Sequence, residues 1–255
     1  ISERKIKKWI NQISFFDKSH VGIRVEGISK IYADYNGSKY MTPASNTKLF
    51  TFLAAIQTFD SLPTLEYKIE NDSVVSFRST GYPLLLHPFY SDSTLLNFLS
   101  KKKTWRYSKP KNLVKPYGPG WAWDDYNFYY AAEKSVFPIY GNTVKYTINN
   151  NLVPKFSLEL DSSVNNFQRS KTENNFYYNP NSSKRIDTIY RPFITSDSLF
   201  IRLLSAATDN NIIYENKNDS LEWEVLYTNN ENKLYKALLH DSDNGIAESL
   251  LLMIQ

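Results

Sequence analysis

Ser45 and Lys48 stand three residues apart in the run Pro43-Ala44-Ser45-Asn46-Thr47-Lys48-Leu49-Phe50. On a helix that spacing puts a hydroxyl and an amine on one face, about 5–6 Å apart at Cβ, close enough for the amine to take the hydroxyl proton. A helix N-terminus there adds oriented backbone N–H groups and a partial positive charge. The chemistry is that of an activated serine. Ser-x-x-Lys also occurs at Ser2/Lys5, Ser100/Lys103 and Ser108/Lys111, in charged or Pro/Lys-rich surroundings that read as solvated surface. Only Ser45 follows a Pro-Ala turn and leads an apolar series. Leu49, Phe50, Phe52, Leu53 and Ile56 recur at helical spacing and predict a buried helix with Ser45 in its first turn, running to about residue 59.

A second constellation, Ser242-Asp243-Asn244, begins 197 residues after Ser45, in a break between two apolar helical patterns. A tight turn between helices aims a hydroxyl and an amide into a cleft. Asn244 has the donors and acceptor to bond both a substrate carbonyl and the activating lysine, and Ser242 can relay a proton to a leaving amine. The plainer reading is that Ser242 or Asp243 caps the helix starting at Gly245. Capping and catalysis are compatible. Ser163-Val164-Asn165 has the same Ser-x-Asn spacing, but in a polar loop with nothing to fix it.

The elements that must position these groups read as a helix over residues 2–14, with Ile6, Trp9, Ile10 and Ile13 on one face, then strands around 21–25 and 31–35. Asn36-Gly37 is a turn, and residues 39–41 extend the sheet. From about residue 62 the pattern turns β-rich. Strands are expected at 67–69, 74–77, 144–148, 156–160 and 186–190, with a polar loop or hairpin over 165–183. Helical spacing returns at 198–208, at Leu234, Leu238 and Leu239, and from Ile246 onward. The sequence stops inside that last apolar helix, which reads as an incomplete chain. The fold class is α/β (α+β), with one domain formed by 1–62 and 196–255 and a β-rich insert over 63–195.

At 255 residues, 42% hydrophobic and 22% charged, the chain has the composition of a folded protein with one large core or two smaller ones. The net charge of +4 is dispersed apart from Lys101-Lys102-Lys103, so nucleic acid is not an expected partner. No apolar stretch is long enough to span a bilayer. With zero cysteines, and with His20, His87 and His240 scattered without ligand spacing, no metal or cofactor is expected.

Ser-x-x-Lys with Ser-Asp-Asn is the signature of serine β-lactamases and penicillin-binding proteins, normally completed by Lys-Thr-Gly. The long separation of the two motifs resembles the class C low-molecular-mass penicillin-binding proteins, D-alanyl-D-alanine carboxypeptidases/endopeptidases that insert extra domains between them. Residues 20–23, 42–50, 118–126, 138–142 and 241–252 carry the resemblance. It implies a partial transpeptidase domain of the penicillin-binding-protein/β-lactamase type. Ser45 would be the acylated nucleophile and Lys48 its general base, with Ser242 and Asn244 on the opposite wall. The implied setting is the periplasm. The implied partners are peptidoglycan stem peptides ending in D-Ala-D-Ala and β-lactam antibiotics. A non-catalytic peptidoglycan-binding protein of the same fold and a β-lactamase are the alternatives. Two features depart from the family. Gly81-Tyr82-Pro83 stands where Gly-Asp-Pro is usual, and Lys-Thr-Gly is missing, the nearest text being Lys171-Thr172-Glu173. Without that motif's oxyanion donor these 255 residues alone should be a poor catalyst, since one such donor is worth about 10²–10³ in rate. The block Trp121-Ala122-Trp123-Asp124-Asp125-Tyr126 reads as packing at the domain junction ahead of sugar stacking.

Overall fold

The computed structural model describes residues 2–90, 92–108, 114–147, 151–182, 187–215 and 222–255. Lys111, Ile148, Ser183 and Ile186, each part of an expectation above, lie outside them. The chain divides into two compact units, Ile1–Thr47 and Lys48–Gln255.

In the first unit Ile6 and Ile10, one turn apart, are buried on helix α1 (Glu3–Asn11). They pack with Ala33 of β2 (Ile31–Tyr35), which pairs antiparallel with β1 (Ile23–Glu26). The helix is shorter than its pattern. It ends at Asn11 and a 3-10 turn follows at Ser14–Lys18. Ile13 therefore falls off the packed face and is 48% exposed, and Trp9, 45% exposed, lies under the Lys5 ammonium instead. Asn36 adopts φ 54°, as the expected turn requires, whereas residues 39–41 form no strand.

The second unit opens with α2 (Lys48–Thr58). Its buried residues are Lys48, Thr51 and Ala55, a stripe at helical spacing. Leu49, Phe50, Leu53 and Ile56, expected inside, are between 46% and 76% exposed. This helix is apolar on more than one face, and periodicity cannot say which face is packed. The contacts decide it: α2 lies against α5 (Glu231–Leu239) and α6 (Asn244–Ile254), with Phe52 edge-on to Tyr235 at 5.1 Å.

Between α2 and α5 the described residues build a five-stranded sheet. Its strands are β3 (Leu62–Asn71), β4 (Val74–Ser79), β5 (Thr104–Tyr107), β12 (Ile212–Tyr214) and β13 (Glu224–Thr228), in the order β12-β5-β4-β3-β13. It draws strands from both sides of the domain boundary expected at 196. Helices α3 (Thr94–Leu99) and α4 (Asp197–Thr208) pack with it around Phe77, Trp105, Tyr107, Phe137 and Phe200. The lysine run leads into β5, and Lys102 bonds Asp209 at 2.8 Å. Two small sheets fill the middle of the chain: β11 (Thr188–Pro192) with β6 (Thr143–Thr147) and β7 (Asn151–Val153), and β8 (Ser157–Leu160) with β10 (Asn175–Tyr178) and β9 (Phe167–Arg169). The antiparallel β9–β10 pair is the hairpin expected within 165–183.

Candidate active site

Packing of α2 against α6 brings Lys48 and Asn244 together. Lys48 sits at the head of α2 on its buried face, 8% exposed, and Asn244 is the first residue of α6. The Lys48 Nζ donates to Asn244 Oδ1 at 2.7 Å across 196 residues of sequence. The Asn244 Nδ2 donates to the Tyr130 carbonyl at 3.1 Å, so both ends of the amide are committed. Burial pushes the Lys48 pKa below the usual amine range, while the Asp243 and Glu248 carboxylates push it back up. A lysine lowered in this way moves toward the neutral form that accepts a proton.

Asp243 caps α6, its Oδ1 accepting from the Ile246 N–H at 3.0 Å. Ser242 does not cap. It is held at φ 59°, a left-handed conformation uncommon for a residue with a Cβ. Ser242, Asp243 and Asn244 line a cavity of about 870 Å³ within the second unit, in the size range of ligand sites. His87, Tyr90 and Tyr130 stand among its other walls.

Sequence reasoning missed the support on the far wall. Tyr140, Gly141 and Asn142 are all left-handed, with φ 56°, 58° and 53°. Asn142 fixes this turn by donating from Nδ2 to the Glu133 carbonyl at 2.8 Å and to Ser135 Oγ at 2.9 Å. The Glu133 carboxylate accepts from Tyr117 Oη at 3.0 Å, Thr195 N at 2.7 Å and Thr195 Oγ1 at 2.8 Å. A Cβ at Gly141 would lie 3.1 Å from His87 Nε2 on a left-handed residue, so glycine lets the turn approach His87 without strain. The sequence cue was the lone glycine in Pro138-Ile139-Tyr140-Gly141-Asn142.

The helix does not begin at Ser45. Ser45–Thr47 is a 3-10 turn, closed by Thr47 Oγ1 on the Ala44 carbonyl at 2.9 Å, and α2 starts at the next residue. Ser45 is exposed and belongs to the first unit. In the aromatic block, Tyr126 is buried and stacks with Trp123, which is 60% exposed. Tyr82, at the position of the family's usual acid, is fully buried and donates to Asp92, which also accepts from Thr228 Oγ1 at 3.2 Å. Lys171-Thr172-Glu173 lies in the connection from β9 to β10.

Residues 3–97 match the D-Ala-D-Ala carboxypeptidase 3 (S13) family. That match contains both Ser45 and Lys48. No curated protein matches the chain. The crystal structure of penicillin binding protein 4 from Haemophilus influenzae is similar at a TM-score of 0.63 and 18% identity, over 88% of this chain and 59% of that one. This chain therefore spans about three fifths of that protein's length. The likeness gives the fold: α+β, of the penicillin-binding-protein type, as the class C resemblance implied. Among the described residues no helix is long and apolar enough to cross a membrane.

Proposed function

We propose that the chain forms part of a serine-type D-Ala-D-Ala carboxypeptidase/endopeptidase that trims peptidoglycan stem peptides in the periplasm and is acylated by β-lactams. The observation that carries this reading is the 2.7 Å contact of Lys48 with Asn244, which unites residues of the Ser-x-x-Lys and Ser-x-Asn motifs. Ser45 is the nucleophile, three residues before the lysine in the chain. Lys48 Nζ takes the Ser45 Oγ proton as Oγ attacks the carbonyl of the penultimate D-Ala. The peptide bond then breaks, and the proton held on Lys48 passes through the Ser242 hydroxyl, which gives up its own proton as it accepts the lysine's, to the departing amine of the terminal D-Ala, or of a cross-linking residue. Water attacks the ester and frees Ser45. A β-lactam opens on the same hydroxyl and leaves slowly.

We further infer that the insert extends from β3 to β13, beyond the boundary at 195, because β3 and β13 pair in one sheet. The first domain would then resume at α5. The experiment is labelling of the natural full-length protein with a fluorescent penicillin, followed by peptide mapping. Label on Ser45 that disappears in Ser45→Ala is the expected result. A folded wild type without label overturns the reading.

A further inference from the structure

Between β4 and α3 the chain passes along the cavity, and two side chains there reach the acids on either side of Ser242. The Tyr90 hydroxyl donates to Asp241 Oδ2 at 2.8 Å. The His87 ring, its side chain 5% exposed, directs Nε2 toward Asp243 Oδ2 at 3.9 Å. The other ring nitrogen, Nδ1, accepts from the Phe89 N–H at 3.3 Å, which leaves the proton on Nε2. The two rings pack on each other at 4.9 Å, and the turn at Gly141 closes over His87. Asp241 is also bonded by His240 Nδ1 at 2.8 Å, and Asp243 is the cap of α6. Ser242, the residue in the unfavourable left-handed conformation, thus lies between two carboxylates, one hydrogen-bonded by Tyr90 and the other faced by His87.

We propose that residues 87–90 form a positioning clamp for the 242–244 bend, with Tyr90 holding Asp241 and His87 facing Asp243 so that Ser242 keeps its left-handed turn. Burial keeps His87 neutral by lowering its pKa against the pull of Asp243, so the clamp at neutral pH is an N–H dipole facing a carboxylate. Tyr90 is raised by burial and by Asp241, so it remains a donor. These are positioning residues: they act through Ser242 and its neighbours, and the effect on catalysis rests on the function proposed above.

The test is Tyr90→Phe in the full-length protein, which removes one hydroxyl and keeps the ring packing. Two readouts are taken. Amide hydrogen exchange across 240–246 should accelerate about 10- to 150-fold, the scale of one lost bond to a charged group. The rate of Ser45 acylation by penicillin should fall about 3- to 10-fold. In a Ser242→Gly background the left-handed turn needs no clamp, so Tyr90→Phe should accelerate exchange across the bend far less than it does with Ser242 in place. Unchanged exchange overturns the clamp. An acceleration of exchange of equal size in both backgrounds overturns action through Ser242 and leaves only general packing. A wild type that penicillin does not label overturns the functional reading, and the exchange data still decide the clamp.

Discussion

Two substitutions at Asn244 should move the acid limb of acylation in opposite directions. In the mechanism proposed above the limb reflects Lys48, which must be neutral to take the Ser45 proton, so rate rises with pH through the lysine's pKa. Asn244→Asp is close to isosteric and puts a carboxylate where Oδ1 now sits, 2.7 Å from Nζ. An opposite charge this near favours the ammonium and raises a pKa by about 1–3, so the limb should move up by about one to three pH units. At pH 7 that is about a 10- to 1000-fold slower acylation, recovering in alkali. Asn244→Ala removes the acceptor instead. A hydrogen bond to a charged group is worth about 1.5–3 kcal/mol, so the buried ammonium loses support and the limb should move down by about one to two pH units. The assay is the second-order rate constant for penicillin acylation of the full-length protein between pH 5 and pH 10. Limbs that coincide in all three proteins, or shift the same way in both variants, refute the assignment of Lys48 as the base beside Asn244.

Gly141→Ala forces a Cβ into a left-handed residue, φ 58°, with His87 Nε2 3.1 Å away. Thermal unfolding should show a loss of about 1–2 kcal/mol from the backbone alone, and an unchanged midpoint would contradict the turn described above. Tyr82→Phe removes a buried donor from Asp92. Burial pushes the Asp92 carboxyl up, but bonds from Tyr82, Thr94 and Thr228 outweigh it and hold the folded pKa below the usual range. The stability gained from that depression is present above the unfolded carboxylate pKa and is lost as pH falls through the folded one. Removing the phenol should therefore shift the acid-unfolding midpoint upward and cost about 1.5–3 kcal/mol at neutral pH, measured by urea unfolding at several pH values.

The Ser-x-x-Lys and Ser-Asp-Asn motifs were legible because each rests on local signals, a turn before an apolar run and a break between two helices. The partnership of Lys48 with Asn244 followed from the chemistry each group needs. Packing was less legible. The stripe Lys48, Thr51 and Ala55 looks polar and small beside Leu49, Phe50 and Leu53, yet it is the one that α5 and α6 cover. Strand β5 was hidden by its lysine run, and β12 and β13 by their brevity and by pairing partners more than 100 residues away. His87 gave no signal because its partner, Asp243, is distant in sequence. Short apolar runs announce a strand, but only the completed sheet says which one lies beside which.

The separation of Lys48 from Asn244 also sets when the site can exist. A ribosome adding about 5–20 residues per second needs about 10–40 s to pass from one to the other. Throughout that interval the nascent amine is an ordinary hydrated lysine, with neither α5 nor α6 to dehydrate it and no amide to bond. On the mechanism proposed above, its role as a base is thus withheld until the late segments dock, and a half-made chain would carry no armed nucleophile.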